Sequence, residues 1–126
     1  MNILIAEDDT FFQKFYVNKL QELSFIVDLA IDGEEAIQKL TAKKYDCMLL
    51  DIIMPKKTGF DVLKYAKQNN ILASTPIIVF STLGQDADIK RALELGASDY
   101  ANKAFFDFET LMAKINAVIQ KKQTTV

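Results

Sequence analysis

Apolar residues in this chain gather into short continuous runs, separated by longer stretches in which they recur every three or four positions. Ile3-Leu4-Ile5-Ala6, Phe25-Ile26-Val27-Asp28-Leu29, Cys47-Met48-Leu49-Leu50 and Ile77-Ile78-Val79-Phe80 have strand length and are too short for helices. Ser98 to Asn102 reads as a fifth, shorter strand. Between them, Phe11 or Phe12, Phe15, Leu20 and Leu23 recur at helical spacing, with Asp9 or Thr10 as the N-cap. Asp32-Gly33 followed by Glu34-Glu35-Ala36 predicts a second helix with Ala36, Ile37 and Leu40 inward. Phe60, Leu63 and Ala66 or Lys67 predict a third, ending near Asn69-Asn70. Ile89, Ala92, Leu93 and Leu95 predict a fourth, stopped at Gly96 in a C-terminal cap position. A fifth runs from about Asp107 to Lys121, with Leu111, Ile115, Val118 and Ile119 apolar, and residues 123–126 form a polar tail.

Five strands alternating with five helices imply an α/β fold, a doubly wound parallel sheet with helices on both faces. A chain of 126 residues fits one domain with a single core. No repeat, low-complexity tract or linker interrupts it.

Composition narrows the chemistry. The chain has no histidine, which excludes imidazole general bases, Ser-His triads and His-ligated metals. Cys47 is the only cysteine, so there is no internal disulfide and no Cys-based zinc site; its apolar run makes it a core thiol. A net charge of −2 and a pI near 5.1 argue against general nucleic-acid affinity. Residues 2–6 are too short for the apolar region of a signal peptide, and no stretch approaches a membrane span. The expectation is a cytoplasmic protein without membrane contact.

Candidate chemistry lies at the strand ends. The first strand ends on Glu7-Asp8-Asp9 and the third on Asp51, with Pro55 and Gly59 turning the chain soon after. A lone Asp51 is equally well explained as a turn cap. In open parallel sheets, however, ligands gather beyond the carboxyl ends of the strands where strand order reverses. In the order 2-1-3-4-5, taken from known proteins of this class rather than read from the residues, that point lies between strands one and three. Glu7, Asp8 and Asp51 would then converge. Two carboxylates about 5 Å apart repel by roughly 3 kcal/mol at an effective dielectric near 20. Such a cluster needs a cation or a retained proton. All-oxygen ligation suits Mg²⁺, which can also hold a substrate phosphate. Ser81-Thr82 ends strand four and Lys103 follows strand five. Hydroxyls and an ammonium beside a metal-binding carboxylate are the partners a phosphoryl group needs.

As a set, Glu7-Asp8, Asp51 with Met54-Pro55 and Gly59, Pro76, Ser81, Gly96-Ala97-Ser98-Asp99-Tyr100 and Lys103 resemble the receiver domain of two-component response regulators, single-domain chemotaxis-type regulators among them. The match runs from Asn2 to about Lys121, giving a receiver over residues 1–122. The resemblance implies a flavodoxin-like sheet of order 2-1-3-4-5. It also implies that Asp51 accepts a phosphoryl group from a phosphohistidine on a sensor histidine kinase or phosphotransfer protein. Asp8 and Asp51 would bind Mg²⁺ (or Mn²⁺) with the backbone carbonyl of Ile53, and Glu7 would act through a metal-bound water. Lys103 would pair with phosphoryl oxygens. Ser81, with Thr82 beside it, would approach the phosphoryl group, and Tyr100 would turn inward to remodel the face of helix four, strand five and helix five. The protein would be no enzyme beyond its own phosphorylation and dephosphorylation. Its outputs would be a downstream protein or an output domain beyond these residues, with a phosphorylation-dependent homodimer as one form, and no direct contact with nucleic acid.

Three positions depart from the family's usual pattern. Ala104 follows Lys103 where the family has a proline with a cis peptide, so the bond is expected to be trans with a displaced loop, or cis and held by packing. Thr82 is larger than the usual residue after the switch hydroxyl and is expected to narrow access. Ile53 has no polar group to orient an attacking water, which predicts slow loss of phosphate. Phe105, Phe106 and Phe108 either pack the last helix onto the sheet or face a partner. Two rival readings stand beside the receiver: a degenerate receiver serving as a constitutive binding module, and a small phosphoryl-transfer hydrolase. The chain is read either as a stand-alone receiver or as the N-terminal receiver of a longer protein, its linker starting near Gln123.

Overall fold

The computed structural model describes residues 1–105 and 107–124. In chain order the elements are β1 (Asn2–Ala6), α1 (Thr10–Glu22), β2 (Ile26–Ala30), α2 (Gly33–Ala42), β3 (Cys47–Leu50), α3 (Gly59–Gln68), β4 (Ile77–Ser81), α4 (Asp86–Glu94), β5 (Asp99–Asn102) and α5 (Phe108–Thr124). Single 3₁₀ turns cover Ile71–Ala73 and Lys103–Phe105. The strands form one parallel sheet in the order β2-β1-β3-β4-β5. The three central strands are buried on both faces, which is why they read as unbroken apolar runs.

The alternation of strand side chains divides the core. Leu4, Ala6, Met48, Leu50, Ile77 and Val79 pack with Ala36 and Leu40 of α2, Leu63 and Ala66 of α3 and Ala92 of α4. Ile3, Ile5, Cys47, Leu49, Ile78 and Phe80 face Tyr16 and Leu20 of α1 and Leu111, Ile115 and Ile119 of α5. Phe108 packs against this second layer, as the packing alternative expects. The side chains of Phe105 and Phe106 lie outside the described residues, as does the end of the polar tail beyond Thr124.

Several expectations shift in detail. α1 stops at Glu22, with Leu23 as its C-cap and Ser24 at φ 69°, so Leu23 leaves the apolar stripe and is exposed. That turn delays β2 by one residue relative to Phe25–Leu29. Phe11 and Leu93, both at helical spacing, are also exposed. Gly96 follows the C-cap Leu95 at φ 105°, the left-handed conformation that suits glycine after a helix end. α5 continues to Thr124, three residues past the expected Lys121. Among the described residues, no helix is long and apolar enough to cross a membrane.

Candidate functional site

Strand register brings the acids together. Ala6 pairs with Leu50, so the next residues, Glu7 and Asp51, emerge side by side from adjacent strands. The Asp51 amide donates to the Ala6 carbonyl (3.1 Å), and the Glu7 amide donates to the Ala30 carbonyl of β2 (3.0 Å). Gly59 packs against the same turn: a Cβ there would lie 2.3 Å from the Asp51 carbonyl oxygen, so only glycine lets α3 start this close. Its amide donates to the Ile52 carbonyl (2.9 Å), and the side chains of Thr58 and Asp61 cap α3 reciprocally.

At the opposite side, β4 pairs Ser81 with Asn102 of β5, and Lys103 follows at once. Lys103 lies in a 3₁₀ turn in which the Ala104 amide donates to Asn102 Oδ1 (2.8 Å). No described peptide bond is cis, so Lys103–Ala104 is trans. The lysine nonetheless reaches the acids. Its Nζ donates to Asp51 Oδ2 at 3.0 Å and to Glu7 Oε2. Glu7, Asp51 and Lys103 are all buried.

Glu7 is held at each of its polar groups. Its Oε1 accepts from the Asp9 amide (3.2 Å), and its main-chain carbonyl accepts from Gln13 Nε2 (2.7 Å). Asp9, in turn, caps α1 by accepting from the amides of Phe11 and Phe12. Asp51 Oδ1 accepts from the Ile52 amide at 2.7 Å. Burial pushes the Glu7 carboxyl up to about 7; the Lys103 hydrogen bond opposes this and the neighbouring charge of Asp51 adds to it.

Glu7, Asp8 and Asp51 each offer a carboxylate oxygen within 4.8 Å of the others, with Asp8 on the exposed side. One ammonium among three carboxylates leaves negative charge to be balanced by a divalent cation or by a proton on Glu7. The all-oxygen donor set fits a hard cation such as Mg²⁺. Ile53, whose carbonyl is the expected third ligand, follows Asp51 by two residues and is 55% exposed.

The residues expected to act as the switch lie after β4 and on β5. Ser81 is buried and its Oγ accepts from the Leu83 amide (3.3 Å); Thr82 is exposed. The Tyr100 hydroxyl donates to the Leu83 carbonyl, so this ring already turns toward the β4–α4 loop. Burial, then the charges of Asp88 and Asp51, hold that hydroxyl above its ordinary pKa.

Sequence reasoning missed three features. It paired Lys103 with an incoming phosphoryl group and overlooked its resting bond to Glu7. It also missed Gln13, which fixes the Glu7 main chain, and Phe12, whose ring centroid lies 4.6 Å from Lys103 Nζ. Both lie on α1, where apolar spacing marked Phe12 only as core.

The receiver profile of response regulators matches residues 3–116. The transcriptional regulatory protein CpxR of Escherichia coli K12 is 39% identical over 119 residues, covering 94% of this chain and 49% of CpxR. The chain thus spans about half the length of the curated relatives it matches. A Francisella response regulator 1452 receiver domain superposes with a TM-score of 0.88 at 28% identity, covering 95% of this chain and 97% of that one. The receiver domain of sensor histidine kinase PA1611 from Pseudomonas aeruginosa PAO1, with magnesium coordinated in its active site cleft, gives 0.85 at 26% identity over 94% and 97%. With its sheet order, its paired acidic strand ends and a profile match across most of its length, the chain belongs to the response regulator receiver domain family of two-component systems.

Proposed function

We propose that this chain is a phosphorylation-activated switch in which Asp51 is the phosphoacceptor. The observation that carries the reading is the Lys103 ammonium, donating to Asp51 within a cluster of three carboxylates at the carboxyl ends of adjacent strands. The donor is a phosphohistidine on a sensor histidine kinase or phosphotransfer protein. An Asp51 carboxylate oxygen forms a bond to phosphorus as the phosphorus–nitrogen bond breaks, and the leaving imidazole nitrogen takes the electron pair, with any proton it gains coming from solvent water. The protein's part is to orient the nucleophile and to offset charge in the transition state.

Asp8, Asp51 and the Ile53 carbonyl would hold Mg²⁺ or Mn²⁺, with Glu7 acting through a bound water. The cation, when bound, supplies charge neutralisation beside the transferred group. The magnesium in the PA1611 receiver domain supports this assignment. Lys103 would exchange its carboxylate partners for phosphoryl oxygens. Ser81, with Thr82 at the rim, would give up its bond to the Leu83 amide and turn to the phosphoryl group. Because the same Leu83 accepts from Tyr100, the loop movement would carry to β5 and so to the face of α4, β5 and α5. That face would signal to a downstream protein, to a further domain or to a second copy, in the cytoplasm.

Intact mass after incubation with acetyl phosphate tests the reading. One phosphoryl adduct is expected with Mg²⁺, none with chelator and none in Asp51→Asn. A wild-type protein that binds Mg²⁺, stays folded and takes no adduct from acetyl phosphate or from a panel of histidine kinases would instead be a constitutive binding module.

A further inference from the structure

Two of the partners that hold Lys103 in place are carboxylates that a divalent cation would also claim. Its side chain is only 3% exposed, and its Nζ donates to Glu7 and Asp51. The same Nζ also lies over the Phe12 ring at 4.6 Å from the centroid and over the Phe80 ring at 5.8 Å. An ammonium is drawn to the negative face of an aromatic ring, most strongly when water is excluded.

The rings are fixed independently of the lysine. The Phe12 amide donates to the helix-capping Asp9 carboxylate at 3.2 Å. The Phe12 ring stacks on Tyr16 at 5.9 Å with an interplanar angle of 6°, and Tyr16 meets Phe80 edge-on at 5.0 Å. The Phe12 ring therefore belongs to an aromatic row that runs from α1 to β4.

We infer that Phe12 is a positioning residue, its ring forming a seat that keeps the Lys103 ammonium at the site when the carboxylates engage a cation. The inference rests on the proposed pairing of Lys103 with a phosphoryl group. A ring suits the task for an electrostatic reason. It attracts the ammonium without adding a formal negative charge to a cluster that already holds three carboxylates, and it does not compete for the divalent ion. The contact coexists with the ammonium's hydrogen bonds to Asp51 and Glu7, so the ring adds to those bonds and does not replace them.

The test combines amine labelling with phosphorylation. Lys103 modification by acetic anhydride is measured by peptide mass spectrometry, relative to the other lysines, in wild type, Phe12→Leu, Phe12→Met and Phe12→Tyr. Met fills the volume without a ring, and Tyr restores one. Lys103 labelling should rise about tenfold in the Leu and Met variants. In Phe12→Tyr it should stay near the wild-type level. Adduct formation from acetyl phosphate at saturating Mg²⁺ should slow to a similar degree in the Leu and Met variants. In a Lys103→Met background the Phe12→Leu change should slow it no further. Unchanged Lys103 labelling, or equal slowing with and without Lys103, would overturn the inference while leaving Asp51 as phosphoacceptor. If wild type takes no phosphoryl group, the proposed function fails, and the labelling still decides whether the ring seats the ammonium.

Discussion

Lys103 Nζ sits 3.0 Å from Asp51 Oδ2, joining residues 52 positions apart across the intervening strand β4. The same ammonium bonds Glu7, so a single cation bridges two buried carboxylates. Removing one partner of a buried ion pair leaves uncompensated charge, at a typical cost of about 3–5 kcal/mol. Lys103→Met should therefore lower unfolding free energy by about 3 kcal/mol at pH 8 without divalent ions, near the low end of that range. Millimolar Mg²⁺ should recover part of the loss. Urea titrations with and without Mg²⁺ check this; a stability unchanged by the mutation would mean that the ion pair contributes nothing net.

Glu7 titrates differently in the folded and unfolded states. Burial raises its carboxyl from 4.5 to about 7 in the native protein. Between those values the folded state binds more protons than the unfolded chain, so stability falls as pH rises. The decline starts near pH 4.5 and levels off above about pH 7. Denaturant midpoints at several pH values, without divalent cation, should show this slope in wild type and lose it in Glu7→Gln. Mg²⁺ affinity should rise over the upper part of the same range, because a proton on Glu7 competes with the cation. An affinity independent of pH between 6 and 8 would remove Glu7 from the metal site.

Gly59 determines how closely α3 approaches the acidic turn. Its missing side chain would meet the Asp51 carbonyl at 2.3 Å and Ile52 Cα at 2.8 Å, both of them backbone atoms. Neither can move aside by a rotamer change. Gly59→Ala should cost about 1–3 kcal/mol as an overpacking substitution. It should also weaken Mg²⁺ binding, since the relief is a shift of the Asp51 main chain. Calorimetric Mg²⁺ titration on the folded variant checks the second part, and wild-type affinity would show that the turn accommodates the methyl group elsewhere.

The buried strands were legible because a strand covered on both faces has an apolar run with sharp ends: Cys47–Leu50 is observed with the bounds that its sequence predicts. The acids were legible for the same reason, as they mark where those runs stop. Edge strand β2 was less so. It begins after a left-handed Ser24, a conformation that nothing in Leu23-Ser24-Phe25 announces. The trans geometry after Lys103 was one of two open alternatives, and the 3₁₀ turn that accompanies it depends on Asn102 capping the Ala104 amide. Gln13 and Phe12 were hidden because their role depends on how α1 is rotated over the sheet. Periodicity identifies the apolar stripe of a helix and says nothing about which of its residues overhang the strand ends.

Ile53 follows Asp51 by two residues and is 55% exposed, at a position open to solvent. Water approaching a phosphoryl group on Asp51 would meet a branched alkyl group there and find no hydrogen-bond partner. Replacement by asparagine adds both a donor and an acceptor at that position. One hydrogen bond that orients the attacking water, worth about 1 kcal/mol, changes a rate by roughly five- to tenfold. Ile53→Asn should therefore shorten the lifetime of the phosphorylated protein by about that factor. The rate of phosphoryl-group incorporation should change less, because the incoming donor does not depend on an oriented water. Decay of the phosphoryl adduct after removal of acetyl phosphate, followed by intact mass, measures the first quantity, and its appearance measures the second. Equal lifetimes in the two proteins would mean that the water is oriented by another group, with Lys103 and Ser81 the next side chains to vary.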